Sequence, residues 1–228
     1  MDLSQEPIVA LASSPTAGAQ IVLARGRLPS AVLLVLAATM ISALAAVRLS
    51  TETRLDELFF GATRHPLVTA MIQTLGAERT AVVIYLVQRS FDAVLAATAV
   101  TPVFVWLLGS SAIQASARLA GIRRPYGPFL KFFGYAAALT LIPSNLASLA
   151  LGSGPTVGAQ IAQLVSLVCL VWLGVIAYRG VRSYYEVDRN QATRILLVAL
   201  VVFYLIPLVL IVGAAVSIIF AAVILEYF

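Results

Sequence analysis

Long apolar runs alternate with short polar connections along this chain, and the lengths of the runs set the first expectation. A helix needs roughly 20 mostly apolar residues to cross about 30 Å of hydrocarbon, with every backbone group satisfied inside it. Four stretches meet that requirement: Ala31–Val47, closed by Arg48; Ala93–Ala117, closed by Arg118; Phe132–Leu151; and Gly158–Tyr178. The uncharged Gly152-Ser153-Gly154-Pro155 joins the last two as a tight helical hairpin. A fifth stretch, Ile195–Ile224, has 30 residues, too long for one perpendicular span and too short for two. It is expected as one tilted helix kinked near Pro207. The fold class that follows is all-α, a polytopic transmembrane helical bundle of five spans, at 31–47, 93–117, 132–151, 158–178 and 195–224.

The connection Arg48–Asp92 is the only sizeable charged region. Ser50-Thr51-Glu52 reads as a helix start that places Leu55, Leu58 and Phe59 on one face, and Pro66 opens a second segment with Leu67, Ala70 and Met71 together. Both are expected as short interfacial helices. Ala81–Phe91 is apolar enough to begin a sixth span, which would bury Arg89 and Asp92 as an i, i+3 pair. The basic residues weigh on the other side. The tail carries two, the second and fourth connections four each, and the third connection and the C-terminus none. In both counts the second and fourth connections are cytoplasmic. The positive-inside rule slightly favours six spans, while the cost of an intramembrane Arg89 and Asp92 favours five.

Composition sharpens this picture. Hydrophobic residues make up 61% of the chain and charged residues 11%, against about 25% charged in soluble domains, so no water-soluble core accounts for it. The apolar runs leave room for one transmembrane domain over residues 29–228, preceded by a tail, residues 1–28, read as a polar surface segment. The start of that tail is acidic and carries Pro7, unlike the basic start of a secretory signal, so it is expected to be retained. The net charge of +5 reflects arginines in the connections and is a topology signal, not a nucleic-acid footprint.

Candidate chemistry is sparse. The only cysteine, Cys169, lies in an apolar run, and the only histidine, His65, precedes Pro66 in a charged loop, so no metal or other cofactor is expected. No Gly-rich phosphate loop is present, and Gly152-Ser153-Gly154 reads as a turn. Two places carry polar groups worth naming. Pro143-Ser144-Asn145 falls within the third span, below Tyr135, and makes a polar kink that either lines a cavity or is satisfied by neighbouring helices. The basic, aromatic loop Arg123-Arg124-Pro125-Tyr126-Gly127-Pro128 with Lys131 either contacts anionic headgroups or an acidic partner, or only fixes topology. Gly109, Ser110, Ser111 and Gln114, and Gln160 and Gln163, are expected to serve close packing and interhelical hydrogen bonds.

Several of these features occur in a recognisable order. Ser116-Ala117-Arg118-Leu119-Ala120-Gly121 ends a small-residue span, a basic loop follows, and Phe133-Gly134-Tyr135 leads to Ile142-Pro143. Tyr184-Tyr185-Glu186-Val187-Asp188-Arg189-Asn190-Gln191-Ala192 then precedes the last span. Over Ala93–Phe228 this order resembles the Yip1-domain family of small multispanning membrane proteins, particularly its bacterial members. The resemblance implies a five-span bundle with a cytoplasmic N-terminus and a C-terminus on the far side. Eukaryotic relatives act in vesicle traffic and contact small membrane-bound GTPases through cytoplasmic regions. This chain departs from them in its short tail and its long first connection.

The leading expectation is a non-enzymatic scaffold or accessory factor that organises membrane components or trafficking. The alternative is a transporter or permease subunit with its polar break in the third span, and a membrane enzyme using Asp92, Glu186 or Asp188 ranks last. The partners implied are the lipid bilayer and other membrane proteins or a second copy, with no nucleic acid. Short loops and the family resemblance point to a bacterial inner membrane.

Overall fold

The structure, a computed structural model, describes residues 7–52, 66–151 and 157–227, with the side chains of the last helix described up to Val209. In chain order the helices are α1 (Pro7–Ser13), α2 (Pro15–Arg25), α3 (Leu28–Glu52), α4 (Pro66–Leu75) and α5 (Ala77–Ala99). Next, α6 (Thr101–Phe104) runs through a π-helical turn, Val105–Gly109, into α7 (Ser110–Leu119). The chain closes with α8 (Tyr126–Leu151), α9 (Val157–Tyr185) and α10 (Arg189–Tyr227). Among the described residues, five helical segments are long and apolar enough to cross a membrane: Leu28–Thr51, Ala77–Ala99, Tyr126–Leu151, Val157–Tyr185 and Arg189–Val209.

The faces of α3 show what the bundle is built for. Its buried stripe is small, with Ala31, Val35, Ala38, Ser42 and Ala46 at helical spacing, while Leu33, Leu36, Met40, Leu44 and Val47 are exposed. Water would penalise that arrangement, but lipid does not, because helices in lipid associate through close packing and hydrogen bonds and have no hydrophobic drive of their own. Ser42 Oγ accordingly donates to Thr98 O at 2.9 Å.

Three features differ from the sequence expectation. The second span is shifted, from 93–117 to Ala77–Ala99, because the apolar run breaks at Val100 and Pro102 opens a new helix there. A proline in the first turn has no intrahelical N–H partner to lose, so the break falls just ahead of it. Arg89 and Asp92 consequently lie inside a candidate span, bonded to side chains one turn earlier. Arg89 Nε donates to Tyr85 OH at 3.1 Å, and Gln88 Nε2 donates to Asp92 Oδ1 at 3.0 Å. Secondly, Ser50-Thr51-Glu52 is the last described part of α3. Leu55, Leu58, Phe59, His65 and the turn Gly152-Ser153-Gly154-Pro155 lie outside the described residues, whereas the expected helix opening at Pro66 is present as α4.

The third difference concerns residues 1–28, read as a polar surface tail. Here Pro7 and Pro15 each open a short helix, and Leu11, Ala19 and Val22 have no exposure. Gly18 allows the contact between α1 and α2, since a Cβ there would sit 2.3 Å from Leu11 Cα.

The described residues group into two compact units. One draws on Met1–Leu28, Phe104–Ala136 and Gly174–Phe228, the other on Pro29–Val103 and Ala137–Leu173. In the second unit α8 and α9 meet tightly, with the Leu151 carbonyl 2.6 Å from where a Cβ on Gly158 would stand. The expected long last helix is one continuous element, Arg189–Tyr227, with Pro207 inside it.

Candidate partner and lipid interface

The basic loop of the first unit begins where α7 stops. Gly121 has φ 82°, its N–H donates to Arg118 O at 3.0 Å and that of Ile122 to Ala117 O at 3.0 Å, the paired bonds of a Schellman cap. The chain is thereby turned so that residues 122–125 pass over the end of α7. Gln114, on the buried face of that helix, holds them there. Its Nε2 donates to Arg124 O at 2.8 Å and its Oε1 accepts from Tyr185 OH at 2.5 Å. One amide therefore joins the loop, α7 and the end of α9, which is the interhelical bonding the sequence leads one to expect of Gln114.

An aromatic cluster backs this knot. The Phe129 ring, fully buried, lies 5.8 Å from Phe132, 6.1 Å from Phe133, 5.8 Å from Tyr184 and 5.3 Å from Tyr185. Tyr184 OH donates to Pro125 O. Two glycines let the rings in: a Cβ on Gly180 would come within 2.1 Å of Phe132 Cε1, and one on Gly109 within 2.7 Å of Phe133 Cε1. Gly109 closes the π-helical turn, and Trp106 within that turn donates from Nε1 to Leu130 O at 2.8 Å.

Against this frame the sequence-predicted residues fall in different places. Tyr126 OH lies 2.8 Å from both Ser110 Oγ and Ser111 Oγ, so it is held by α7. Lys131 Nζ donates to Leu23 O at 2.9 Å, close to the end of α2. Arg124 Nη2 meets Glu186 Oε2 at 2.7 Å, an exposed pair worth about 0–1 kcal/mol. Arg123 alone of the four is exposed with no ion pair among the described residues. Tyr135 is buried and its hydroxyl sits 3.4 Å from both the N and the O of Arg27, in the first unit.

Pro143, Ser144 and Asn145 belong to the second unit, where α8 continues unbroken past Pro143 to Leu151. Ser144 Oγ donates to Ser166 Oγ at 2.8 Å, and Asn145, half-buried, makes no side-chain hydrogen bond among the described residues. Gln160 and Gln163, expected to bond between helices, are exposed and make no such bond among the described residues. The Ser144–Ser166 bond is a packing contact of ordinary strength. Ser166→Ala is expected to lower stability by less than about 1 kcal/mol, read as a small shift in melting temperature in detergent.

The order of elements, the small-residue end of α7, the capped basic loop and the tyrosine pair before the last span are the features by which this architecture can be compared with others. The Yip1 domain profile matches residues 10–212. The chain belongs to the Yip1 family. The match reaches well before Ala93, where the sequence resemblance begins, and takes in α2 and most of α1. With its five candidate spans, this Yip1-domain protein is an integral, multi-pass membrane protein whose apolar helix faces contact lipid. No curated protein and no solved structure matches it.

One feature of the first unit escapes a reading from sequence. Arg179 and Arg182 on α9, and Arg189 and Thr193 on α10, line one cleft with Tyr178. In sequence they are only part of the charge count for the fourth connection. The i, i+3 spacing of Arg179 and Arg182 is the signal that puts them on one face.

Proposed function

We infer that this Yip1-domain protein is a non-enzymatic scaffold or accessory factor that organises other membrane components or their trafficking, in a bacterial inner membrane. The observation that carries the reading is where the polar side chains behind the loop end. Gln114, Tyr185, Ser110 and Tyr126 are each bonded to another group of the same chain, which yields a rigid surface and uses up the polarity available for chemistry. Of the loop residues, Arg123 is the one directed to a partner, with Arg124, Tyr126 and Lys131 setting the loop's conformation behind it. The partner is another membrane protein with an acidic surface on the cytoplasmic side.

The test is a control-subtracted affinity pull-down of the full-length protein from its native membrane in mild detergent, with retained proteins identified by mass spectrometry. A stoichiometric partner lost on Arg123→Glu is the expected result. A protein that emerges alone and well folded overturns the scaffold reading.

Asn145 supports a second reading, because a half-buried amide with no side-chain hydrogen bond among the described residues is a group available to a solute. On that reading the protein is a transporter subunit, and substrate-dependent flux in proteoliposomes is abolished by Asn145→Leu. The continuous helix through Pro143 counts against it, since transporter sites typically use unwound backbone.

A further inference from the structure

The first unit holds a basic cleft of ≈ 530 Å³ lined by Tyr178, Arg179, Arg182, Arg189 and Thr193. Three guanidinium groups around one opening repel each other, and such an arrangement is normally relieved by carboxylates. Among the described residues none of these three arginines has an ion pair. The two carboxylates of the adjoining connection are engaged elsewhere: Glu186 pairs with Arg124 at 2.7 Å, and Asp188 Oδ1 caps α10 by accepting from Gln191 N at 2.9 Å. The Tyr178 ring partly offsets the repulsion, with Arg179 Cζ and Arg182 Cζ each 5.9 Å from its centroid.

The surroundings show what kind of anion would fit. The cleft lies near where the candidate span Val157–Tyr185 ends and the candidate span Arg189–Val209 begins, and the end of a span is where lipid phosphates are met. Below it both helices turn apolar on the same faces. On α10, Arg189 and Thr193 are followed at helical spacing by Leu197, Leu200 and Tyr204, which are 59%, 55% and 66% exposed. On α9, Val175 lies one turn below Arg179 and two turns below Arg182 and is also exposed. A basic, hydroxyl-bearing opening above two apolar stripes matches an amphiphile with an anionic head.

We propose that this cleft binds the phosphate group of an anionic phospholipid headgroup, with Arg179, Arg182 and Arg189 as its cationic partners, Thr193, whose hydroxyl donates to Arg189 O at 3.0 Å, as part of its wall, and the apolar faces of α9 and α10 along its acyl chains. The forked guanidinium groups suit a phosphate, since each offers two parallel N–H donors to its oxygens. The site differs from the partner surface at Arg123 and does not depend on it.

The experiment titrates the purified full-length protein, in neutral detergent, with short-chain phosphatidic acid, with phosphatidylcholine of the same chain length, and with inorganic phosphate. Phosphatidic acid is expected to bind in preference to phosphatidylcholine, whose own cation shields its phosphate. Arg182→Gln with Arg189→Gln should weaken phosphatidic acid on the order of 30-fold, from about tenfold or less for each arginine. The conservative pair Arg182→Lys with Arg189→Lys should retain most of the affinity, which separates loss of charge from loss of fold. Arg118→Gln with Arg194→Gln removes the same charge outside the cleft and should leave binding within about twofold. Equal weakening by that pair, or equal affinity for the two lipids, overturns the proposal. Inorganic phosphate binding as tightly as phosphatidic acid overturns the lipid as the source and leaves a site for free phosphate.

Discussion

Gly180→Ala is expected to destabilise the protein by about 1–3 kcal/mol, the usual cost of forcing extra volume into a packed interior. The added methyl would stand 2.1 Å from Phe132 Cε1 and 2.3 Å from Cζ, well inside van der Waals contact. Phe132 has no exposure and leans on Phe129, which is equally buried, so its ring has little room to withdraw. Phe132→Leu in the Gly180→Ala background should recover part of the loss, because the two changes act on one contact and are not additive. Thermal unfolding in detergent, followed by the protein's intrinsic fluorescence, reads both variants. Unchanged melting for Gly180→Ala would mean that α9 and the start of α8 are not packed as described.

Gln114→Leu is the second large effect, expected at about 2–4 kcal/mol, because one substitution strands two groups that the amide now satisfies. Tyr185 OH is buried and loses its acceptor, while Arg124 O loses the donor that fixes the loop. Tyr185→Phe should cost less, about 1–2 kcal/mol, since it orphans only Gln114 Oε1 and leaves the loop anchored. The rank order is therefore the diagnostic, and a Tyr185→Phe penalty above that of Gln114→Leu would contradict the bonding scheme. Limited proteolysis supplies a second readout: Gln114→Leu should expose the 120–125 loop to trypsin after Arg123, the bond after Arg124 being protected by Pro125, and Tyr185→Phe should not.

Much of the architecture can be read from sequence because a spanning helix announces itself by length and polarity alone. Ala31–Val47, Phe132–Leu151, Gly158–Tyr178 and the long last run each fall within a single helix of the structure. What a sequence conveys poorly is the consequence of an individual proline. Pro102, Pro143 and Pro207 all sit in apolar runs, yet Pro102 opens a helix while the other two lie inside one. The difference depends on whether neighbours compensate for the missing hydrogen bond, which is a tertiary matter. The same limit explains the first helices, since Pro7 and Pro15 are first-turn signals in a segment too weakly apolar to stand out.

The basic loop shows a related limit at the level of side chains. Its rigidity and charge are legible in Arg123-Arg124-Pro125-Tyr126, but the direction of each side chain is not. Tyr126 turns to Ser110 and Ser111 only because α7 is brought beside it by the cap at Gly121. Likewise the cleft at Arg179, Arg182 and Arg189 needs residues from two helices, brought together by the three residues Glu186–Asp188, with Glu186 at φ 55°. Charge counting registers those arginines without showing that they converge.

Both the partner surface and the phosphate cleft require the 120–125 and 186–188 connections to face the same aqueous side, with α8 and α9 each crossing once between them. Single cysteines at Arg123, Asn190 and Val157, in a Cys169→Ala background, test this with a membrane-impermeant thiol reagent applied to intact cells and to inverted vesicles. The cysteines at 123 and 190 are expected to be labelled in inverted vesicles and protected in cells, and the one at 157 to show the reverse. Labelling of 157 from the same side as 123 and 190 would contradict this arrangement.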